Sequence, residues 1–197
     1  PLREMQLASA HQAGDPEAMG ELLRGYQRRI HAICYRMVAH SEEAADLTQD
    51  AIIKVMEGLA GYDGRASVST WIIRVTMNCC LSHLRKERLR RHASLDAIAS
   101  GSGEEPSTNL AGSAEPRPGS RVEREEERAR LLQALGRLES PMRAVLVLRD
   151  LQGLDYQQLG TVLGIPVGTV KSRLFRARLA LRAEIETSGK DDEAGDE

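Results

Sequence analysis

Hydrophobic residues recur every three or four positions along much of the chain, which is the spacing of one face of an α-helix. In the first part, Asp15 followed by Pro16 is typical of a helix start, and Ser41 is expected to cap a second helix. A third helix is predicted from about Ser69 to Arg91. No stretch alternates with period two for long enough to predict a strand, so the pattern predicts a bundle of three or four helices. The apolar face of the first helix comprises Met19, Leu22, Leu23, Tyr26, Ile30, Ile33 and Met37.

A segment poor in large apolar residues separates this block from a second helical one. Residues 93–120 are rich in Gly, Ser, Pro and Ala, and such a segment buries too little surface to offset its ordering entropy. Net charge changes at the same borders: it is +2 over 1–92, −3 over 93–120, +3 over 121–186 and −4 over 187–197. The sequence therefore predicts an all-α fold of two small helical domains, 15–92 and 121–186, with a flexible linker between them and a disordered acidic tail.

The stretch from Asp155 to Arg182 predicts two helices joined by a tight turn. Asp155 can cap the first helix, and Gln158 can complete a capping-box variant. Gly164 ends that helix, and Pro166 suits the first turn of the next. The apolar stripes of the pair are Tyr156, Leu159, Val162 and Leu163, then Val170, Leu174, Ala177 and Leu181. Earlier helices of this block are predicted from about Arg121 and from Ser140-Pro141.

The second helix of this pair carries polar and cationic residues on the face opposite its apolar stripe. In a helix-turn-helix, such a helix reads base edges in the DNA major groove, and flanking cations bind phosphates. The alternative is an ordinary amphipathic hairpin with a solvated basic face. The turn glycine, the proline and the one-sided cations together favour DNA binding. The expected base readers are Lys171, Ser172 and Arg173, with Arg176 and Arg178 as phosphate clamps and Thr169 beside them.

These residues carry a resemblance to a known family. I-P-V-G-T-V-K-S-R-L-F-R-A-R-L-A-L-R, from Ile165 to Arg182, resembles the last helix of region 4 in extracytoplasmic-function (ECF) sigma factors of bacterial RNA polymerase. D-L-T-Q-D-A-I-I-K-V, residues 46–55, resembles their region 2.2, and G-R-A-S-V-S-T-W-I-I-R-V-T-M-N, residues 64–78, resembles regions 2.3 and 2.4. The resemblance implies a region 2 domain at 15–92 and a region 4 domain at 121–186.

Polar residues of the second helix form one stripe, opposite Leu47, Ile52, Val55 and Met56. Spacing alone favours a plain solvated helix face. The resemblance implies instead that this stripe docks on core RNA polymerase, at the clamp helices of the largest subunit, and the second-largest subunit is the other expected polymerase contact. The residues of the stripe are Asp46, Gln49, Asp50 and Lys54.

The loop Y-D-G-R-A-S-V-S, residues 62–69, precedes Trp71. A short Gly and Ser loop beside an aromatic can hold an unstacked base, although a lone Trp is also typical of a core. The resemblance implies that the loop captures a non-template base of the minus-ten promoter element. Its candidate residues are Tyr62, Gly64, Arg65, Ser67 and Trp71, with Asn78 on the following helix.

The end of the third predicted helix is strongly basic. The segment from Leu84 to Arg91 carries a net charge of +4 and predicts a contact with the DNA phosphate backbone that weakens as salt rises. A basic helix end is also favoured by the helix dipole alone. The residues assigned to the phosphate backbone are Arg85, Lys86 and Arg88.

No catalytic constellation, cofactor motif or metal-ligand spacing is found in the sequence. The five histidines are scattered, and Cys34, Cys79 and Cys80 lie within apolar helical patterns, where buried reduced thiols are expected. No apolar run approaches the roughly 20 residues that span a bilayer, and no secretory signal precedes the first helix. We expect a cytoplasmic protein that is not an enzyme and is not inserted in a membrane.

The expected function is that of an alternative sigma factor, which docks on core polymerase, opens the minus-ten DNA and reads the minus-thirty-five element. Control by an anti-sigma factor is a hypothesis that the family adds. Two other classes remain for comparison: a stand-alone helix-turn-helix regulator, which leaves the first block unexplained, and a DNA enzyme such as a recombinase. The latter needs a nucleophile or a carboxylate metal cluster on a sheet-containing domain.

Overall fold

The structure, a computed structural model, describes residues 2–99 and 120–193, with side chains for 2–93 and 126–187. Within those ranges the chain is helical and contains no strand, which confirms the predicted all-α class. A π-helical segment, Val147–Leu151, follows the sixth helix. The helices are α1 (Leu2–Gln12), α2 (Pro16–Val38), α3 (Ser41–Leu59), α4 (Val68–Ala99), α5 (Ser120–Arg137), α6 (Ser140–Leu146), α7 (Tyr156–Leu163) and α8 (Val167–Glu193).

The start of α2 follows the sequence signals, whereas the start of α3 does not. Asp15 caps α2 by accepting a 2.9 Å hydrogen bond from the Glu17 amide, and Pro16 is the first helical residue. The prediction that Ser41 caps α3 was wrong, because Ser41 is already helical and His40 occupies the cap position without a side-chain bond. Only two residues connect α2 to α3, and Ala39 reverses the chain in the left-handed region, with φ 59°.

The helices overrun the borders predicted for the linker and the tail. α4 continues to Ala99, so residues 93–99 are helical, and α8 continues to Glu193, past the predicted border at 187. Residues 93–99 contain three alanines and a leucine but no glycine or proline, and that composition favours continuation of a helix. No proline follows Pro166 to stop α8. The rest of the predicted linker, 100–119, and the last four residues lie outside the described parts.

Helices α1–α4 and α5–α8 form two units that share one continuous core of buried residues. Arg143 of α6 lies between them and is only 6% exposed. Its guanidinium donates to the carbonyl oxygens of Met37, at the end of α2, and of Gly136, at the end of α5, and it donates at 3.0 Å to that of Leu138. Burial lowers the pKa of Arg143 below the usual arginine range. Carbonyl groups from both units therefore converge on one buried cation.

A second polar contact joins the units near the start of α4. Arg29 of α2 donates to Gln152 Oε1 at 2.8 Å and to Ser69 Oγ at 3.0 Å. Gln152 directly follows the π-helical segment, so this contact links α2, α4 and the approach to α7. Helix α7 also packs against α4. None of the described helices combines the length and hydrophobicity that crossing a membrane requires.

Candidate functional site

The two helices near the C-terminus form a helix-turn-helix whose ends are fixed by local bonds. Asp155 Oδ1 accepts from the Gln158 amide at 2.8 Å, and Gln158 Oε1 accepts from the Asp155 amide at 2.9 Å, so the predicted capping box is confirmed. Gly164 ends α7 in the left-handed conformation, with φ 65°, where a side chain would be strained. Pro166 directly precedes α8, and its carbonyl accepts from the Val170 amide at 3.0 Å.

Helix α8 separates an apolar stripe from a polar face, as the spacing predicted. Val170, Leu174 and Ala177 are buried, and Leu181 packs at the edge of the core. On the other side the predicted DNA-contacting residues lie together. Lys171, Ser172, Arg176 and Arg178 are exposed, and Thr169 and Arg173 are half-buried.

Two cations of this face are held by contacts within their own unit. Arg178 donates to both carboxylate oxygens of Asp150 in the π-helical segment, at 2.6 and 3.2 Å. The Lys171 ammonium lies 5.7 Å from the centre of the Tyr156 ring, and the Arg149 guanidinium lies 4.9 Å from it. Cation–π attraction thus orients Lys171 from the first helix of the motif. Arg178 is a less available phosphate ligand than its spacing suggested.

Sequence reasoning missed an aromatic residue in the middle of this face. Phe175 is 67% exposed and lies three and four residues after Ser172 and Lys171, on the same side of α8. Leu179, one turn further, is 55% exposed. The sequence could have revealed Phe175 by its position, because a Phe opposite the apolar stripe of α8 cannot pack in the core. An exposed Phe can contact the methyl group of a thymine in the major groove.

The polar stripe of α3 is exposed and includes apolar residues that the spacing did not reveal. Asp46, Gln49, Asp50 and Lys54 all face solvent. Ile53 is 51% exposed and lies three, four and seven residues from Asp50, Gln49 and Asp46, at the centre of the stripe.

The face expected opposite the stripe is only partly apolar core. Leu47 and Val55 are buried and Ile52 is partly buried, as predicted, but Met56 is 47% exposed. Met56 belongs to the edge of the exposed face because no neighbouring helix covers it. This surface therefore mixes carboxylates and an amide with apolar side chains, as protein-docking surfaces do.

The loop between α3 and α4 is ordered by its own side chains. The Tyr62 hydroxyl donates to the Ala66 carbonyl, and the Tyr62 ring lies 5.6 Å from the Trp71 ring. Gly64 takes the left-handed conformation, with φ 73°. Arg65 pairs with the Asp63 carboxylate at 3.1 Å. The loop thus presents the exposed Gly64 and Arg65 beside the partly exposed rings of Tyr62 and Trp71.

The start of α4 fixes Trp71 beside this loop. Ser67 Oγ accepts from the Thr70 amide at 3.1 Å and caps the helix. A Cβ atom at Gly58 would lie 3.1 Å from the Trp71 ring, so any side chain there would push the ring a few tenths of an ångström away from the end of α3. Trp71 is half-buried and in contact with Tyr62, so it is neither a plain core residue nor fully exposed.

One face of α4 aligns the remaining predicted DNA-contacting residues. Trp71, Asn78 and Arg85 follow at intervals of seven residues, which is about two turns, and Asn78 and Arg85 are exposed. The exposed Arg74, which sequence reasoning omitted, lies one turn after Trp71. Lys86 and Arg88 are also exposed, whereas Arg91 pairs with Glu87. A cationic strip therefore leads from the loop along α4.

The described residues also include three cysteines and one cluster of possible metal ligands. All three cysteines are free and buried, as predicted, and Cys80 donates to the Cys34 sulfur at 3.7 Å, which lowers the pKa of Cys34. Glu43, His83 and Glu87 place ligand atoms within 4.8 Å of one another. They are partly exposed; His83 Nε2 lies 3.3 Å from Glu43 Oε2, and Glu87 pairs with Arg91.

Both helical units match profiles of one protein family. Residues 22–90 match the profile of Sigma-70 region 2, and residues 128–181 match that of Sigma-70, region 4. The chain is 34% identical over 179 residues to RNA polymerase sigma-H factor of Pseudomonas aeruginosa, covering 91% of this chain and 92% of that protein. It is 30% identical over 172 residues to the ECF RNA polymerase sigma factor SigW of Bacillus subtilis, covering 87% and 91%.

The fold is also that of a solved sigma factor. The structure of RpoE in complex with the anti-sigma factor NepR from Bartonella quintana matches with a TM-score of 0.63 and 20% identity, over 85% of this chain and 96% of that one. The family resemblance stated from the sequence is thereby confirmed. The chain belongs to the ECF family of RNA polymerase sigma factors.

Proposed function

We propose that this sigma factor directs initiation through three exposed surfaces: the stripe of α3 for core polymerase, the loop and α4 for minus-ten DNA, and α8 for minus-thirty-five DNA. It acts by binding, in the cytoplasm, and supplies no catalytic group of its own. The observation that carries the proposal is the face of α8. It places Lys171, Ser172, Phe175 and Arg176 together on a helix anchored by a buried stripe on its other side.

The minus-thirty-five element is read by the N-terminal half of α8. Lys171 and Ser172 lie in the N-terminal half of α8, close to the turn, where a recognition helix contacts base edges, with Thr169 and Arg173 beside them. Phe175 adds an apolar contact and Arg176 a phosphate or base contact. Arg178 keeps its bond to Asp150 and supports the orientation of α8 more than it binds phosphate.

The minus-ten element is opened at the loop and along α4. Tyr62, Gly64, Arg65 and Ser67 form the place for one unstacked base, with the Trp71 ring at its side. Asn78 is exposed on the same face of α4 and can hydrogen-bond a base edge. The exposed cations further along the helix, Arg85, Lys86 and Arg88, bind phosphates, so this contact weakens as salt rises.

Core polymerase docks on α3, at the clamp helices of its largest subunit, and its second-largest subunit is the other expected partner. The polar residues Asp46, Gln49, Asp50 and Lys54 set the orientation of the complex. Ile53 at the centre of the stripe and Met56 at its edge, each about half exposed, supply apolar contacts that a purely polar stripe would lack. This pair extends the residue set that the sequence indicated.

Control by an anti-sigma factor is part of the proposal. The fold match to RpoE in complex with NepR supports it, because an anti-sigma factor is bound to that protein. In the present chain both DNA-contacting faces are exposed while the two units pack against each other, so both are available to a protein partner. A partner that covered α8 and the α4 strip would block promoter binding without touching α3.

Transcription in vitro tests the proposal. Core polymerase supplemented with this chain is expected to start RNA from a cognate promoter, and neither component alone is expected to do so. A stand-alone regulator would bind DNA without converting core polymerase to a promoter-specific enzyme. A recombinase would rearrange DNA in the absence of polymerase, and either result would overturn the proposal.

A further inference from the structure

We infer that Gln12 is a positioning residue for promoter opening: it holds the loop between α3 and α4 in the shape that takes up a base. Gln12 is the last residue of α1, a helix that the sequence patterns did not predict. The inference deepens the proposed function and rests on it, because it assigns Gln12 a role in the minus-ten site. Gln12 acts through the loop backbone and is not itself part of the DNA-contacting face.

The geometry uses both amide hydrogens of one side chain. Gln12 Nε2 donates to the Leu59 carbonyl at 3.1 Å and to the Tyr62 carbonyl at 3.0 Å. Leu59 is the last residue of α3, and carbonyls in the last turn of a helix lack intrahelical partners. The bond to Leu59 therefore caps the C-terminal end of α3, and the bond to Tyr62 fixes the peptide group that follows Tyr62.

Tyr62 passes this constraint to the rest of the site. Its hydroxyl donates to the Ala66 carbonyl across the loop, and its ring lies 5.6 Å from the Trp71 ring. The Tyr62 amide also donates to the Leu59 carbonyl at 3.2 Å, so Leu59 and Tyr62 are linked both directly and through Gln12. A rotation of the Tyr62 peptide would move the ring, the Ala66 contact and the exposed residues between them.

Gln12 can fix the loop because α1 is itself well anchored. Ala8 is buried, with 1% exposure, against the first unit. After Gln12 the chain turns back, and the amides of Ala13, Gly14 and Asp15 donate to carbonyls of α1 at 2.9 to 3.0 Å. The donor is thus held on a rigid element, and rigid support is what a positioning residue needs.

The test compares two isosteric substitutions on the same helix. Gln12→Glu removes both donors and places a carboxylate against two carbonyl oxygens. Gln6→Glu makes the same chemical change at an exposed position of α1 and is the matched control. A third variant, Gln12→Lys, restores N–H donors at the same site and tests rescue.

Each variant is combined with core polymerase and a promoter that carries 2-aminopurine at the captured minus-ten position. The fluorescence of that base reports its unstacking. Gln12→Glu is expected to lower the fraction of opened promoter by about five- to tenfold, the value of one or two lost hydrogen bonds. Gln6→Glu is expected to match the wild type, and Gln12→Lys is expected to recover most of the signal.

Binding of core polymerase, binding of a minus-thirty-five duplex and thermal unfolding are measured in parallel. The inference is supported when opening falls while both affinities stay within about twofold of wild type and the unfolding temperature stays within a few degrees of it. It is overturned if Gln12→Glu opens the promoter normally. It is also overturned if the affinity for core polymerase falls by the same factor as opening and the unfolding temperature drops with it. Absence of opening by the wild type would instead refute the proposed function, and the inference with it.

Discussion

The two DNA-contacting sites of the molecule are stabilised in different ways. The helix-turn-helix is fixed by bonds between near neighbours, such as the reciprocal pair of Asp155 and Gln158, three residues apart. The loop after α3 is held partly from outside, by Gln12, which lies 47 and 50 positions before its two acceptors. The first site can tolerate changes elsewhere in the chain, whereas the second depends on α1 and on the packing of the whole first unit.

Removal of Arg143 should have the largest effect, because it tests whether the two sites stand on separable units. Arg143→Ala leaves the Met37, Gly136 and Leu138 carbonyls without their buried donor. The free energy of unfolding is expected to fall by about 3 kcal/mol, measured by urea unfolding. The control Arg28→Ala, at an exposed position of α2, should change it by less than about 0.5 kcal/mol. A loss as small as the control's would mean that the units are independent.

A charge reversal on α3 separates the site that needs polymerase from the site that does not. Asp50→Lys is expected to weaken binding of core polymerase by about 2 kcal/mol, because a cation then replaces a carboxylate in the docking stripe. Fluorescence anisotropy with labelled core polymerase measures this. The same variant should bind a minus-thirty-five duplex as the wild type does. A parallel loss of duplex binding would contradict the assignment of α3.

The converse substitution lies on α8. Arg176→Ala is expected to weaken binding of a minus-thirty-five duplex by about 1.5 kcal/mol and to leave core polymerase affinity unchanged. Arg182→Ala is the matched control, since Arg182 is an exposed arginine of the same helix and pairs with Glu186 at 2.7 Å. Electrophoretic mobility shift at fixed salt compares the two. Equal losses would show that only the total positive charge of α8 matters.

Loss of a helix cap should give the smallest and most local effect. Asp155→Ala removes the acceptor for the Gln158 amide and is expected to cost about 1 kcal/mol. Hydrogen exchange of the α7 amides should accelerate, while the amides of the loop after α3 keep their wild-type rates. Gln157→Ala, an exposed neighbour, is the control. Acceleration in the loop as well would remove the distinction between a self-contained and a dependent site.

The contrast between local and long-range contacts also explains which features the sequence could predict. The caps at Asp15 and Asp155, the turn at Gly164 and the buried stripe of α8 depend on residues within a few positions of one another, so local patterns were sufficient. The Ser41 cap failed because the short connection after α2 moved the helix start. There the cap position fell at His40, one residue before the serine whose side chain favours it.

Local sequence patterns also could not predict which apolar side chains are exposed to solvent. Ile53, Met56 and Phe175 are apolar residues on helical faces, and only the packing of the described helices shows that their side chains are exposed. Gln12 is an exposed polar residue without any motif around it, and its importance lies in two carbonyl groups far along the chain. The roles given to these residues remain predictions until the variants are measured.

The Arg143 bond to Met37 also has a consequence for synthesis of the chain. Met37 leaves the ribosome 106 residues before Arg143, which is about 5 to 20 seconds at ordinary rates of translation. During that interval the Met37 carbonyl lacks its Arg143 donor, and the first unit lacks the second unit that packs against it. We therefore expect the nascent N-terminal half to leave the surface around Met37 exposed until the second half has been synthesised.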